Sequence, residues 1–135
     1  MKSKGVTIVK IQESAENYME TILILSRGDK PVRAVDIANE LEYTKPSISV
    51  ALKNLRLGGY IETDPDGFIV LTDKGLKIAE SMYERHILIS DWLIFLGVDK
   101  QTAVNDACKM EHVLSQQSFL AIKQHVENWY GKKQV

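Results

Sequence analysis

The chain has 135 residues, a net charge of −1, and hydrophobic and charged contents of 44% and 26%, which suit a globular protein of one or two small units. Its one cysteine cannot form an internal disulfide, so we expect the reducing cytoplasm rather than a secreted location. No signal peptide is recognisable, and the most apolar run, residues 87–98, is interrupted by Ser90 and Asp91 and is too short to cross a bilayer. We therefore expect no membrane partner.

Two helices are predicted in the first third of the chain, after an N-terminal arm of residues 1–12. Apolar residues recur at helical spacing over Glu13–Ser26, with Ser14 as the N-cap and Gly28 as the stop signal. The same periodicity predicts a second, shorter helix over Arg33–Leu41.

A third helix and a β-hairpin follow. Thr44 is an N-cap residue with Pro46 in the first turn, where a missing N–H costs nothing, and the pair Gly58–Gly59 ends the helix. The predicted apolar stripe of this helix consists of Ile48, Leu52, Leu55 and Leu57. The β-prone segments Tyr60–Thr63 and Phe68–Thr72 flank an Asp-Pro-Asp-Gly sequence, which is strong hairpin chemistry. Three helices followed by a hairpin predict a winged helix-turn-helix domain over residues 13–73.

The remaining residues, 74–135, show no further strand and predict an all-helical domain. Its helices are expected over Lys74–Leu96, Lys100–Val113 and Ser115–Trp129. Residues 87–96 are apolar around most of the helix, and such a helix needs cover on more than one face. A second copy of the chain is the simplest cover, so we expect a homodimer. The predicted fold class is mainly α, a winged helix-turn-helix followed by an all-helical dimerisation domain.

The third helix is the candidate DNA-reading element, because a helix fits the major groove and its N-terminal side chains can reach base edges. Residues 43–59 include three basic residues and no acidic one, although acidic residues outnumber basic ones in the whole chain. The candidate DNA-contacting residues are Thr44, Lys45, Pro46, Ser47, Ser49, Lys53 and Arg56. Asp64 and Asp66 at the wing tip would repel phosphates, so we expect the tip to lie off the DNA. The alternative is a three-helix protein-interaction module with a solvated basic face.

A second group of chemically interesting residues lies in the helical domain. Cys108, Glu111 and His112 follow one another at i, i+3 and i+4 on one predicted helix, so their side chains share a face. A thiolate, a carboxylate and an imidazole on one face make a partial coordination shell for a first-row divalent ion. A buried cysteine beside an ordinary surface Glu–His pair is an equally open interpretation of this pattern. Taken alone, His86 reads as a core histidine and His125 as a surface or packing residue.

At this point the sequence resembles a known family. The stretch Asp106–Ser115 closely resembles the metal-binding segment of the diphtheria-toxin-repressor family of iron- and manganese-dependent transcriptional regulators. Further similar segments follow in the family's order and at similar spacing: Glu16–Glu20, Asp36–Ala38, Pro46–Ser49, Leu71–Gly75 and Arg85–His86. The resemblance covers about residues 13–125 and is strongest to the short manganese transport regulator branch, which lacks the SH3-like domain of longer members.

The resemblance implies metal ligands in both domains. In the helical domain they are His86, Cys108, Glu111 and His112. Glu20 matches a carboxylate ligand of the manganese-type branch, and Asn17 matches the ligand of helix one, where the family has Met or Asp. An amide oxygen at this position brings no charge and binds soft metals poorly. Ser90 and Val104 replace a carboxylate and a histidine of the accessory site in iron-type members, so that version of a second site is not expected.

The function that the resemblance implies is metal-dependent repression of transcription, with Fe²⁺ or Mn²⁺ as co-repressor of genes for metal uptake or homeostasis. Thiolate and imidazole ligands are also compatible with Co²⁺, Ni²⁺ or Zn²⁺. An ion held by both domains would favour the DNA-competent arrangement. A two-fold dimer would then place two third helices on a palindromic operator in double-stranded DNA.

Two other functions compete with this one. A winged-helix regulator that is insensitive to metal, or that responds to a small organic ligand, is favoured by the departure at Asn17. A metalloenzyme would need an open coordination position, a general base and a substrate pocket. The sequence has no Ser/His/Asp set, no Gly-rich phosphate loop and no His-Glu-X-X-His motif, so we expect that the protein is not an enzyme.

Overall fold

A computed structural model of the protein describes the backbone of residues 2–133 and the side chains of residues 12–129. Its elements in chain order are α1 (Lys2–Ser26), α2 (Ala34–Leu41), α3 (Lys45–Leu57), β1 (Ile61–Thr63), β2 (Ile69–Leu71), α4 (Asp73–Phe95), α5 (Lys100–Val113) and α6 (Gln116–Lys133). The predicted fold class, a winged helix-turn-helix followed by helices only, is confirmed. The chain forms two compact units, residues 1–82 and 83–135, and the boundary between them falls inside α4. Among the described residues, no helix has both the length and the apolar character needed to span a bilayer.

The start of α1 is the largest difference from the predicted elements. The helix begins at Lys2 rather than at Glu13, so Ser14 lies inside it and is not its N-cap. The backbone of residues 2–12 is therefore helical, while the side chains before Gln12 lie outside the described residues. β-branched residues and a glycine at positions 5–9 have modest helix propensity, which explains why the pattern did not extend the prediction upstream.

The core of the first unit is formed by α1, α2 and α3. α2 packs against both of its neighbours, and the most deeply buried side chains are Met19, Ile22, Ile37 and Ile48. Leu57 was predicted to share the apolar stripe of α3, but 77% of its surface is exposed. It lies two residues after the buried Leu55, a rotation of about 200° around a helix axis, and therefore faces away from the core.

The wing is a short antiparallel hairpin. Its strands pair in the register Ile61 with Leu71, Glu62 with Val70 and Thr63 with Ile69. The N–H of Ile69 also donates to the carbonyl of Val32 at 2.8 Å, which adds a single bridge from the segment before α2. This bridge ties the wing to the helical core through one buried residue pair, since both partners are nearly inaccessible to solvent.

The turn of the wing is organised by Asp64. Its carboxylate Oδ1 accepts hydrogen bonds from the backbone N–H groups of Asp66 and Phe68, both at 2.9 Å. Gly67 follows with a φ of +85°, a left-handed conformation in which side chains are strained. The acidic residue at the wing tip therefore has a structural task, because short Asp side chains stabilise turns by bonding to backbone groups two or more residues ahead.

The second unit packs the last part of α4 against α5 and α6. Its buried apolar side chains are Ile89, Ala103, Ala107, Phe119 and Val126. Two fully buried alanines on α5 leave little side-chain bulk on the face that this helix buries. Gly97, with a φ of +105°, follows α4, and its N–H donates to the carbonyl of Ile94, as is typical of a glycine that ends a helix.

Gly75 generates a stability prediction. A Cβ at this position in the first turn of α4 would overlap the carbonyl oxygen of Tyr60 and press on the Leu71 side chain. Because backbone atoms cannot move aside cheaply, we expect Gly75→Ala to lower the free energy of unfolding by about 1–3 kcal/mol. Lys77→Ala, at an exposed position of the same helix, should change it by less than about 0.5 kcal/mol. Urea denaturation at matched protein concentrations measures both, and equal midpoints for the two variants would show that the close approach is not rigid.

Candidate functional site

The helix that carries three of the six candidate metal ligands, α5, begins at a well-formed N-cap. The carboxylate of Asp99 accepts from the backbone N–H of Thr102 at 3.0 Å and from its hydroxyl at 2.7 Å. The helix ends after Val113, where the N–H of Leu114 donates to the carbonyl of Met110 at 3.2 Å. The predicted bounds of α5 agree with the structure.

Three of the candidate ligands come together in the second unit. The Glu111 side chain on α5 is completely buried, and its Oε2 lies 3.0 Å from Nδ1 of His86 on α4. Its other oxygen, Oε1, lies 3.3 Å from Nε2 of His112. The two imidazoles are mostly buried as well, with 20% and 8% of their side-chain surfaces exposed. One carboxylate thus stands between two histidines that are 26 positions apart in the chain.

The donor set fits a divalent transition metal. Two imidazole nitrogens and a carboxylate are common ligands of first-row ions. Donors that are each about 2.1 Å from an ion lie roughly 3.0–3.4 Å apart along one edge of an octahedron or tetrahedron. The observed separations of 3.0 and 3.3 Å match these edges, although they are also hydrogen-bond distances. Each imidazole approaches a different oxygen of Glu111, so this carboxylate is the donor that the two histidines share.

The other predicted ligands lie in different surroundings. Cys108 is one turn before His112 on α5 and is exposed, so the shared face predicted from the spacing runs from solvent at Cys108 to the interior at Glu111. Asn17 and Glu20 belong to α1 in the first unit and lie one turn apart on it. Asn17 is half-buried, whereas Glu20 retains only 5% of its exposure.

The candidate DNA-contacting residues are all exposed and lie on α3 or at its N-cap. Thr44 caps the helix: its hydroxyl oxygen accepts from the N–H of Ser47 at 3.4 Å and lies 3.0 Å from the Ser47 hydroxyl. Pro46 occupies the first turn, as predicted. Three buried residues, Ile48, Leu52 and Leu55, hold the opposite side of the helix on the core, so the exposed side is available to a partner.

Arg56 has a partner in the wing. Its Nη1 donates to the hydroxyl of Thr63 on β1 at 3.1 Å. This bond links the last turn of α3 to the hairpin, so Arg56 positions the wing as well as contributing positive charge. A guanidinium has five N–H donors, and one bond leaves others for a phosphate.

Two features of this surface and site were missed in the sequence. Val50 lies at the centre of the exposed side of α3 with 62% of its surface accessible, and the spacing of the buried residues could have indicated it. Arg85 is the other: it is buried beside the cluster, where only 6% of its surface is accessible. Its position next to His86 was the available signal, but its contacts could not be deduced from spacing.

A winged helix with an exposed reading helix, joined to a helical unit with a carboxylate–bis-imidazole cluster, defines a DNA-binding protein with a metal-binding domain. Comparison with known families supports both parts. Residues 10–68 match the N-terminal DNA binding domain of the iron dependent repressor, and residues 72–129 match its metal binding and dimerisation domain. The chain belongs to the iron-dependent repressor family. The family consists of DNA-binding transcriptional regulators and not of enzymes, so the predicted resemblance, regulatory class and lack of enzymatic function are confirmed.

Curated relatives agree with the family. The transcriptional regulator MntR of Escherichia coli O157:H7 is 35% identical over 112 residues, which cover 83% of this chain and 72% of that protein. An uncharacterised HTH-type transcriptional regulator of Methanocaldococcus jannaschii is 32% identical over 124 residues, or 90% of this chain and 99% of that protein.

Solved structures agree with the fold. The manganese regulator SloR has a TM-score of 0.76 and 26% identity over 84% of this chain. The metal-dependent transcriptional regulator MtsR has a TM-score of 0.78 at 24% identity, again over 84% of this chain, and supports the fold alone. The chain spans about half the length of these solved chains, 53% in both cases.

The cap of α5 generates a pH prediction. Hydrogen bonds from the backbone N–H and then from the hydroxyl of Thr102 lower the pKa of Asp99 below its ordinary value of 3.8. The ionised cap therefore stabilises the fold above the ordinary pKa, and this contribution is lost as pH falls through the lowered value. We expect Asp99→Ala to lower the unfolding temperature by a few degrees near neutral pH, with the difference from the wild type shrinking in acid. Asp106→Ala, exposed in the middle of α5, is the control, and a difference for Asp99→Ala that is independent of pH would contradict the role of the carboxylate.

Proposed function

We propose that the protein is a homodimeric transcriptional repressor that binds its operator when a divalent ion, Mn²⁺ or Fe²⁺, occupies the cluster of His86, Glu111 and His112. The observation that carries the proposal is the fully buried Glu111 carboxylate between two imidazoles. It lies within the residues that match the family's metal binding and dimerisation domain. A buried carboxylate is costly unless a positive group or hydrogen-bond donors compensate its charge, and a bound cation supplies that compensation.

The donor chemistry narrows the choice of metal only in part. Imidazoles and a carboxylate accept Mn²⁺ and Fe²⁺, and also Co²⁺, Ni²⁺ and Zn²⁺. Among similar proteins, SloR is described as a manganese regulator, which favours manganese. We place Mn²⁺ and Fe²⁺ first. Cys108, at the exposed end of the same helix face, is a further candidate ligand that would favour softer ions.

We also propose that Glu20 and Asn17 are ligands, as the sequence resemblance implies. They belong to the DNA-binding unit, so an ion that they share with the second unit would bind one arrangement of the two units better than others. Such differential binding is what a ligand-controlled switch requires. The positive charge of the bound ion compensates the negative charge of the carboxylate ligands. The positions of the ligand side chains determine which conformation binds the ion best.

DNA binding is assigned to the exposed side of α3. Lys45 and Lys53 provide positive charge for phosphates, while Ser47 and Ser49 present hydroxyls near the helix N-terminus, the end that reaches base edges in this class of domain. Two copies related by a two-fold axis would present two such helices to a palindromic operator in double-stranded DNA, with half-sites about one helical turn apart. We place the protein with its DNA in the cytoplasm and expect target genes of metal uptake or homeostasis.

The central test is metal-dependent retardation of DNA. With Mn²⁺ the wild type should retard a fragment from upstream of its own gene, and excess chelator should abolish the shift. His112→Ala removes one imidazole and should weaken Mn²⁺ binding in calorimetric titration at least about tenfold, which equals 1.4 kcal/mol. His125→Ala removes an exposed imidazole on α6 and should bind Mn²⁺ and DNA as the wild type does. Retardation that persists unchanged in chelator would instead favour a regulator that is insensitive to metal or that responds to an organic ligand.

The role of α3 has a separate test. Lys53→Ala should weaken binding to operator and unrelated DNA by the same factor and should reduce the slope of log affinity against log salt by about 0.9, because one phosphate contact is lost. Lys77→Ala, an exposed lysine on α4, is the matched control. Fluorescence anisotropy over a salt series measures both slopes. A loss confined to the operator, with an unchanged slope, would mean that Lys53 reads a base instead.

A further inference from the structure

Arg85 connects α4 to the end of α5 inside the second unit. Its Nη1 donates to the backbone carbonyls of Glu111, at 3.0 Å, and Leu114, at 2.6 Å. Its Nη2 donates to Oε1 of Gln116 at 2.9 Å, and its guanidinium carbon lies 4.9 Å from the ring centre of Phe119. A single side chain thus contacts the last turn of α5, the turn that follows and the first residues of α6.

These contacts answer a specific need of the backbone. The last four backbone carbonyls of a helix receive no hydrogen bond from an N–H group of the same helix. In α5 the carbonyl of Glu111 is one of these four. Arg85 supplies the donor and places a positive charge at the C-terminal end of the helix, where the helix dipole favours it. The backbone that it holds belongs to the residue whose carboxylate contacts both imidazoles, and His112 is the next residue.

The neighbouring position on α4 serves the same residue in a different way. Arg85 and His86 are consecutive, so their side chains leave the helix about 100° apart. The first binds the main chain of Glu111 and the second contacts its carboxylate. The acceptors that the structure gives Arg85 are two carbonyls, an amide oxygen and an aromatic face, all neutral groups. Arg85 therefore contributes to the cluster by fixing the position of the backbone and not by its charge. The planar guanidinium donates several hydrogen bonds in fixed directions, which a lysine cannot do.

We propose that Arg85 is a positioning residue for the metal site: it orients the last turn of α5 so that Glu111 and His112 face His86, and it raises the affinity for a divalent ion without ligating it. This inference rests on the proposed metal site. Groups that orient metal ligands typically contribute about 10–100-fold to affinity. We therefore expect Arg85→Met to bind Mn²⁺ at least about tenfold more weakly, with Arg85→Lys between it and the wild type.

The experiment compares destabilisation at the two ends of α5. Mn²⁺ affinity is measured by calorimetry, and the visible absorption of bound Co²⁺ reports the geometry of the ligands directly. Arg85→Met and Arg85→Lys alter the C-terminal end, whereas Asp99→Ala removes the N-cap and serves as the control for loss of stability alone. We expect weaker Mn²⁺ binding and a changed Co²⁺ spectrum only for the Arg85 variants, while Asp99→Ala keeps the affinity and spectrum of the wild type.

Each outcome decides one question. If the wild type binds neither ion, the proposed function fails. If the wild type binds both and Arg85→Met matches it in affinity and spectrum, the positioning role is wrong. It is also wrong if Asp99→Ala weakens Mn²⁺ binding as much at a similar unfolding temperature. Should Arg85→Met lack helical circular dichroism, Arg85→Lys and Gln116→Ala decide, since each removes part of the same hydrogen-bond set; wild-type affinity in both would overturn the inference.

Discussion

The buried carboxylate of Glu111 is the constraint on which the second unit depends. A charged group without access to water must be compensated locally, and the chain places two imidazoles against its oxygens. These partners come from α4 and from α5 itself, so the register between the two helices has little freedom. The alanines at positions 103 and 107 keep the buried face of α5 small. Packing and chemistry in this unit therefore specify the same arrangement.

The first unit meets a simpler requirement, which is to hold one helix with its polar side outward. Ile48, Leu52 and Leu55 bury one side of α3, and the cap at Thr44 begins the helix at a defined residue. The bond from Arg56 to Thr63 then connects the helix to the wing. The residues that match the family's DNA binding domain, 10–68, lie within this unit.

Much of the fold could be predicted from the sequence because its signals are local. The wing follows from the turn residues after Thr63, and the bounds predicted for α5 agree with the structure. The start of α1 could not be predicted, because no capping signal precedes Lys2 and Ser14 resembles one. The bridge between Val32 and Ile69 is a single tertiary pair that leaves no periodic pattern.

The candidate site shows the same division between local and tertiary information. The spacing of Cys108, Glu111 and His112 at i, i+3 and i+4 indicates a shared helix face, and this alone suggests metal chemistry. Nothing in the spacing reveals that His86 meets the same carboxylate, and the family resemblance was needed to include it. Neither the residue spacing nor the family resemblance could predict the contacts of Arg85. These contacts are made to backbone carbonyls, whose positions depend on where α5 ends and not on any neighbouring side chain.

The turn of the wing has a consequence for how such a regulator searches the chromosome. Because the Asp64 carboxylate builds the turn, its negative charge cannot be exchanged for a positive one without losing two hydrogen bonds. Non-specific attraction to DNA is almost entirely electrostatic, so we expect an acidic tip to weaken the attraction of this part of the surface to any DNA sequence.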